Sequence, residues 1–285
     1  MEAAAKFWNV VGPLSLIAAA LLVGNALRTP HAAVPVVDAL ADAVAPASGV
    51  TLPVSWGDLG AKLVASGVID AEKFRALYGA SFTNDDERLL TGTGHGRLTV
   101  TNENAPVVLN LLWALGLANA NPILNEDMND PRYGGNASAF ASTGGWTLAK
   151  GSAMTHYAAH ALVPLTNDEQ VLVDSVSRGI YRPCCDNPAH FPDCNHGMAM
   201  LGLLELMASE GANAKDMYRA ALSVNAYWFP DQYATIARYL ASTGRSLASA
   251  DPEAILGADY SSASGYAAVA ARVSGDTKSG TSCSA

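Results

Sequence analysis

Charge is scarce in this sequence, and basic charge is the scarcer kind. Of 285 residues 15% are charged, with 17 Lys and Arg against 26 Asp and Glu, for a net charge of −9. Recognition of nucleic acid starts from a basic patch, so no nucleic-acid partner is expected. Cysteine is limited to four residues, too few for a disulfide scaffold in a chain of this length. No Cys-x-x-Cys pair occurs, which removes the usual zinc-ribbon and thioredoxin spacings, and without Cys-x-x-Cys-His there is no covalent c-type haem. A Gly-x-Ser-x-Gly elbow is absent, so a serine hydrolase of that type has no support. The glycine-rich stretch at Gly92, Gly94 and Gly96 is not followed by Lys-Ser/Thr, and no nucleotide cofactor is expected from it. No period of about 30–45 residues recurs, so a solenoid is not expected.

Half of the residues are apolar, far from the composition of disorder. One uncharged run stands out. Residues Phe7 to Leu27 carry only Asn9, Ser15 and Asn25 as polar side chains, and 21 residues match the ~20 needed to cross a bilayer. Lys6 and Arg28 flank it on both sides, so basic-residue bias leaves the orientation open. No good small-x-small cleavage site follows it, which favours an uncleaved anchor over a removed signal peptide. The lipid bilayer is therefore the expected partner of residues 7–27, with the body outside the cytoplasm, on the periplasmic or extracellular side. Cleavage of the segment would instead yield a secreted protein. A membrane complex is a further expected partner, and any small-molecule ligand stays unnamed.

The organisation read from the chain is an anchor or signal segment at 1–33, an Ala/Val/Pro-rich tether at 34–51, one domain at 52–273 and a disordered tail at 274–285. The domain reads as mainly α, a single compact multi-helix domain of about nine helices with little or no sheet. Helices are expected at Trp56–Ala65 (capped by Ser55), Ala71–Tyr78, Asp85–Leu90, Pro106–Ala118, Ser152–Val163 and Asp168–Tyr181. Further helices are expected at Met198–Ser209, Ala214–Trp228 and Gln232–Ser242, with Pro252–Leu256 and Ser264–Val273 closing the fold. The sequence Thr166-Asn167-Asp168-Glu169 has the form of a capping box. Arg97–Thr101 alternates as a strand. Gly60 and Gly202 fall inside helices, where each costs ~1 kcal/mol against Ala, which points to close helix–helix approach. Asn119–Lys150, with two Gly-Gly pairs and two prolines, is too long for an ordinary loop and reads as an ordered wall or lid, or as an ordered surface loop.

Seven of the ten His and Cys residues fall between His156 and His196. His156 and His160, at i and i+4 on the expected 152–163 helix, would project from one face. Tyr157 stands where a zincin carries Glu, so a metalloprotease is not indicated. Cys184 and Cys185 follow the next helix. Cys194 and His196 precede the Met198 helix, where an N-terminus favours a thiolate. Sulfur with imidazole suits copper(I), zinc or iron rather than magnesium or calcium, and copper or zinc is the ion expected here. The expected ligands are His156, His160, Cys184, Cys185, Cys194 and His196, with Arg182, Asp186, Asp193 and Asn195 as supporting neighbours.

Three functions fit these residues. One is a membrane-anchored helical metalloprotein, possessing an open ligand position if catalytic. The second is a non-enzymatic accessory subunit stapled by a disulfide from Cys194 to Cys184 or Cys185. The third is a thiol oxidoreductase with Cys194 as nucleophile.

Overall fold

The computed structural model describes residues 44–279, and all of them belong to one compact unit. The expected anchor at 7–27, most of the tether and Cys283 lie outside the described residues. Among the described residues no helix is long and apolar enough to cross a membrane.

The described residues are mostly helical, as their periodicity implies. It opens, however, with a strand that the sequence reading assigned to tether and helix. Strand β1 (Val50–Gly57) buries Leu52, Val54 and Trp56 and exposes the residues between them. This period-2 pattern is that of a half-buried strand. It pairs antiparallel with β2 (His95–Val100), with Val50 opposite Val100 and Gly57 opposite His95. Helix α1 (Leu59–Ala65) therefore starts after the strand, at an N-cap on Asp58, not at Ser55. Next come α2 (Ala71–Tyr78), capped by the Asp70 side chain, and α3 (Asn84–Thr91), opened by a Thr83–Asp86 capping box.

The centre of the molecule is a pair of apolar helices, α4 (Ala105–Ala118) and α7 (Asn195–Ser209). Their backbones touch at Gly116 and Gly202. A Cβ on Gly202 would lie 2.5 Å from the Leu112 carbonyl oxygen and 2.7 Å from the Gly116 nitrogen. Gly60 serves the same purpose between α1 and α3, where a Cβ would strike the Leu89 carbonyl. Between the central helices in sequence lie the short α5 (Pro122–Glu126) and α6 (Asn167–Arg178), the latter opened by the expected Thr166–Glu169 capping box. Helices α8 (Ala214–Trp228) and α9 (Pro230–Ser242), two short segments α10 (Pro252–Leu256) and α11 (Ala258–Ser261), and α12 (Ala263–Ser279) complete the chain. Helix α12 runs past Val273 into residues expected to belong to the disordered tail.

The long 119–150 segment is ordered by α5, by three 3-10 turns and by two tryptophans. The indole of Trp146 donates to the Val68 carbonyl at 2.8 Å and packs against Trp113, which itself donates to the Ser142 carbonyl at 2.6 Å.

The helix expected over 152–163 does not form. A single 3-10 turn (Ala153–Thr155) is followed by Ala158 in the left-handed region, φ 50°. The backbone there pairs with the end of α4 instead: Ala158 N–H donates to Leu117 O and His160 N–H to Ala118 O, both at 2.9 Å. With Gly151 before it and Pro164 after it, the stretch is short enough for tertiary pairing to outweigh its modest helix propensity.

Candidate metal centre

The site is built on the connection between α6 and α7. After Tyr181 the chain makes a tight turn through Arg182, Pro183, Cys184 and Cys185, with the Cys185 N–H donating to the Arg182 carbonyl at 3.3 Å. Proline fixes φ at the second position of such a turn. The turn sets two consecutive cysteines beside Cys194, which is the N-cap of α7.

The three sulfurs form a triangle. Cys184 Sγ lies 3.5 Å from Cys194 Sγ, Cys185 Sγ 3.9 Å from Cys194 Sγ, and Cys184 Sγ 4.0 Å from Cys185 Sγ. A bonded sulfur pair sits at ~2.05 Å, so none of these cysteines is in a disulfide. The expected Cys194 staple to Cys184 or Cys185 is thus absent among the described residues. The connection is held in another way, described below. His196 stands one step into α7 with its Nδ1 3.9 Å from Cys184 Sγ. Its ring is fixed against Phe229, with centroids 4.4 Å apart, and against the edge of Trp228.

Two donor trios have their ligand atoms within 4.8 Å of one another: Cys184, Cys194 and His196, and Cys185, Asp193 and Cys194. The Asp193 carboxylate is already engaged. One oxygen accepts from Arg182 at 2.7 Å and the other from Asn187 Nδ2 at 2.8 Å. Three thiols and one imidazole remain as the donor set, and this Cys/His group could hold a metal ion.

Arg182 replaces the staple. Its side chain is 1% exposed and makes four bonds into the loop it precedes. Nε donates to Cys194 Sγ at 3.1 Å, Nη1 to Asn187 O at 2.7 Å, and Nη2 to Phe191 O at 3.4 Å as well as to Asp193. A buried guanidinium needs such complete pairing, because an unpaired one carries a large desolvation penalty. Burial works against its charge, but Cys194, Cys185 and Asp193 more than offset this and raise its pKa. Gly197 makes room for it. A Cβ there would come within 2.5 Å of the guanidinium carbon.

Cys194 is the sulfur most surrounded by donors. Hydrogen bonds from Cys184 and Cys185 come first among the causes that hold its pKa far below the usual thiol range, followed by His196 and Arg182. The Gly197 N–H at 3.4 Å adds the helix-cap contact. Cys184 is correspondingly pushed up, chiefly by giving its proton toward the other two sulfurs. Cys185 is pushed up to about 11, with Cys184 acting to lower it and Cys194 and burial raising it more. With the Arg182 guanidinium and the Gly197 N–H both aimed at its sulfur, Cys194 is the thiol of the three best placed to carry negative charge.

The two remaining expected ligands lie elsewhere. His156 and His160 face each other, Nδ1 to Nε2 at 3.1 Å, beside Lys150 and the end of α4, and belong to neither donor trio. Without the 152–163 helix they have no common face to turn toward the cysteines. Burial, then the neighbouring His156, lowers the His160 pKa. His190, in the same connection as the cysteines, is also engaged elsewhere. Its Nε2 is 2.7 Å from Asp174 of α6 and its Nδ1 3.1 Å from Asp127 of the long segment.

The long segment backs the cysteine-bearing loop. Tyr133 and Phe140 pack on Phe191, and the Ser142 N–H donates to the Asp193 carbonyl at 3.2 Å. Sequence reading singled out Arg182 and Asp193 as neighbours but missed Gly197. It also missed Glu205, a fully buried acid of α7 bonded to Asn121 Nδ2 at 2.6 Å. Comparison with known protein families, with curated proteins and with solved structures finds no match for this chain.

Proposed function

We propose that this protein binds a transition-metal ion, copper(I) or zinc, through Cys184, Cys185 and Cys194, with His196 as the fourth donor where the ion requires one. The observation that carries this reading is the sulfur triangle with edges of 3.5, 3.9 and 4.0 Å. Metal–sulfur bonds of about 2.3 Å in a tetrahedral site put neighbouring sulfurs about 3.8 Å apart. The cluster thus has metal-site spacing before any ion enters. Thiolate and imidazole donors favour soft or borderline ions. The uncharged run at 7–27 supports a membrane anchor, with this centre held on the non-cytoplasmic side of a bilayer.

The test is anaerobic titration of the full chain, purified without a metal-binding tag, with zinc and separately with copper(I). One equivalent of either should bind with loss of three titratable thiols. Cys194→Ser should weaken binding at least a hundredfold. His196→Ala should weaken zinc binding, which needs four donors, far more than copper(I) binding, which three thiolates can satisfy. A wild-type chain that retains neither ion and keeps all its thiols titratable sinks the reading.

A second reading rests on the Arg182 Nε bond to Cys194 Sγ at 3.1 Å. It makes Cys194 a nucleophilic thiolate. Alkylation of Cys194 below neutral pH, faster than of Cys185 and with no metal bound, would favour it.

A further inference from the structure

His156 and His160 have an arrangement of their own, one the cysteine centre does not use. Their nitrogens are 3.1 Å apart while the ring centroids are 5.4 Å apart, and the ring planes differ by only 20°. The two imidazoles therefore lie end to end, nearly in one plane, with Nδ1 of His156 and Nε2 of His160 pointing at each other. His156 Nε2 is 3.2 Å from the Lys150 carbonyl, which can only accept, so this nitrogen carries the proton. The lone pair of His156 Nδ1 is left facing His160.

The backbone is bent to achieve this. Ala158, between the two, is the one non-glycine among the described residues with positive φ. Such a conformation is unfavourable for a residue with a Cβ and persists only where surrounding contacts enforce it. Here the bonds from Ala158 and His160 to the end of α4, and from the Ala120 N–H back to the His160 carbonyl at 2.8 Å, do so. His156 is buried and His160 only partly so.

We propose that His156 and His160 form a second ion site, a two-coordinate clasp for a soft monovalent ion such as copper(I) or silver(I), independent of the cysteine centre. Two collinear neutral donors satisfy a closed-shell monovalent ion, whereas zinc requires four ligands. With metal–nitrogen bonds of about 2 Å the nitrogens must open to about 4 Å. The partly exposed His160 ring supplies that movement while Lys150 holds His156. On binding, the His160 proton moves from Nε2 to Nδ1, so both imidazoles stay neutral and no proton is lost overall.

The experiment uses silver(I), a redox-silent probe, in chloride-free buffer with the full chain in which Cys184, Cys185, Cys194 and Cys283 are all replaced by Ser. Nitrogen-15 spectra of the histidines are followed. One equivalent should move the His156 Nδ1 and His160 Nε2 resonances together, and His156→Gln or His160→Gln should abolish the shift. Zinc at the same concentration should leave both signals in place. The proposal fails if silver moves neither signal, if the shift survives in His160→Gln, or if zinc binds equally well. Should the cysteine-free chain not fold, the wild type answers the question. Silver fills the thiols first, and only later equivalents should move the two histidines, in wild type but not in His160→Gln. Because the cysteine-free chain lacks the first centre altogether, its outcome does not depend on that reading.

Discussion

At the scale of single residues, two of the buried ionisable side chains, Arg182 and Glu205, are accommodated with opposite results. Arg182 is buried with every neighbour paired, and it organises the loop that bears the thiols. Replacing it by Met leaves the Asp193 carboxylate and the Cys194 thiolate without their cation. The expected cost is about 3–5 kcal/mol, the range for stripping one partner from a buried pair, read as a lower denaturation midpoint together with weaker metal binding. Glu205 is buried with one oxygen lacking a partner. Burial raises its pKa from 4.5 to about 8, against the lowering bonds from Asn119 and Asn121. The sign follows directly. Between those two values the unfolded chain gives up a proton that the folded chain keeps, so stability is full below the lower value and falls as pH rises toward the upper one. Glu205→Gln removes that penalty. Its advantage over wild type should be small at pH 5 and grow to about 4 kcal/mol by pH 8.5, measured by urea denaturation at both pH values. An equal difference at the two pH values would contradict the assignment. Neither residue is equally visible in the sequence. Arg182 announces itself by standing one residue before Pro183 and two before Cys184. Glu205 sits in an apolar helix, where a lone acid reads as an exposed edge until the facing helix is placed.

At the scale of elements, legibility followed the reach of the forces. Helices α2, α6 and α8 carry side-chain caps and amphipathic spacing within a few residues of each other, and they start within a residue of where those signals put them. Strand β1 has the alternation of Leu52, Val54 and Trp56, but Pro53 and the Ala/Val/Pro-rich stretch before it masked it. Only its pairing with β2, some forty residues on, makes it a strand. The i, i+4 spacing of His156 and His160 misled for the same reason, since the partner of that stretch is the end of α4 and not its own next turn. The glycine at 202 was informative because its cost inside a helix demands a reason. That reason is the contact with Gly116, which sets how closely α7 lies on α4. Gly202→Ala should therefore do more than remove a flexible residue. It forces backbone apart at a packed crossing, at an expected 2–4 kcal/mol, at or beyond the upper end of ordinary overpacking. It also shifts the helix whose first turn presents Cys194 and His196. Thermal denaturation and metal titration should fall together in this variant. A partly exposed control on the same scale, Ser223→Ala in α8, should change neither.

At the scale of the whole molecule, the cysteine centre is where distant parts of the chain are tied together. The cysteine-bearing loop is bound to α6 through His190 and Asp174, to the long segment through His190 and Asp127, and to α12 as well. At α12 the Cys185 carbonyl accepts from the Ala263 N–H at 3.0 Å, and the Asp186 carboxylate accepts from the Ser264 N–H at 2.8 Å. One proposed ligand, Cys185, and its neighbour Asp186 thus accept from the first N–H groups of the last helix. An ion that binds the folded state alone stabilises it by RT ln(1 + [M]/Kd), about 4 kcal/mol at a thousandfold excess over Kd. Part of that gain must appear wherever local opening of the loop is the easiest way to lose the ion. The amide protons of Gly197, Ala263 and Ser264 should then exchange at least tenfold more slowly in the metal-loaded chain than after chelation, while amides in the middle of α4 change only with global stability. Asp186→Ala should uncouple the two ends. It should leave the metal affinity within about threefold of wild type, because no ligand is touched, yet abolish the added protection at Ser264. Protection that rises uniformly through α4, α7 and α12 would mean that the ion stabilises the fold only globally, and that the loop does not open independently of the core.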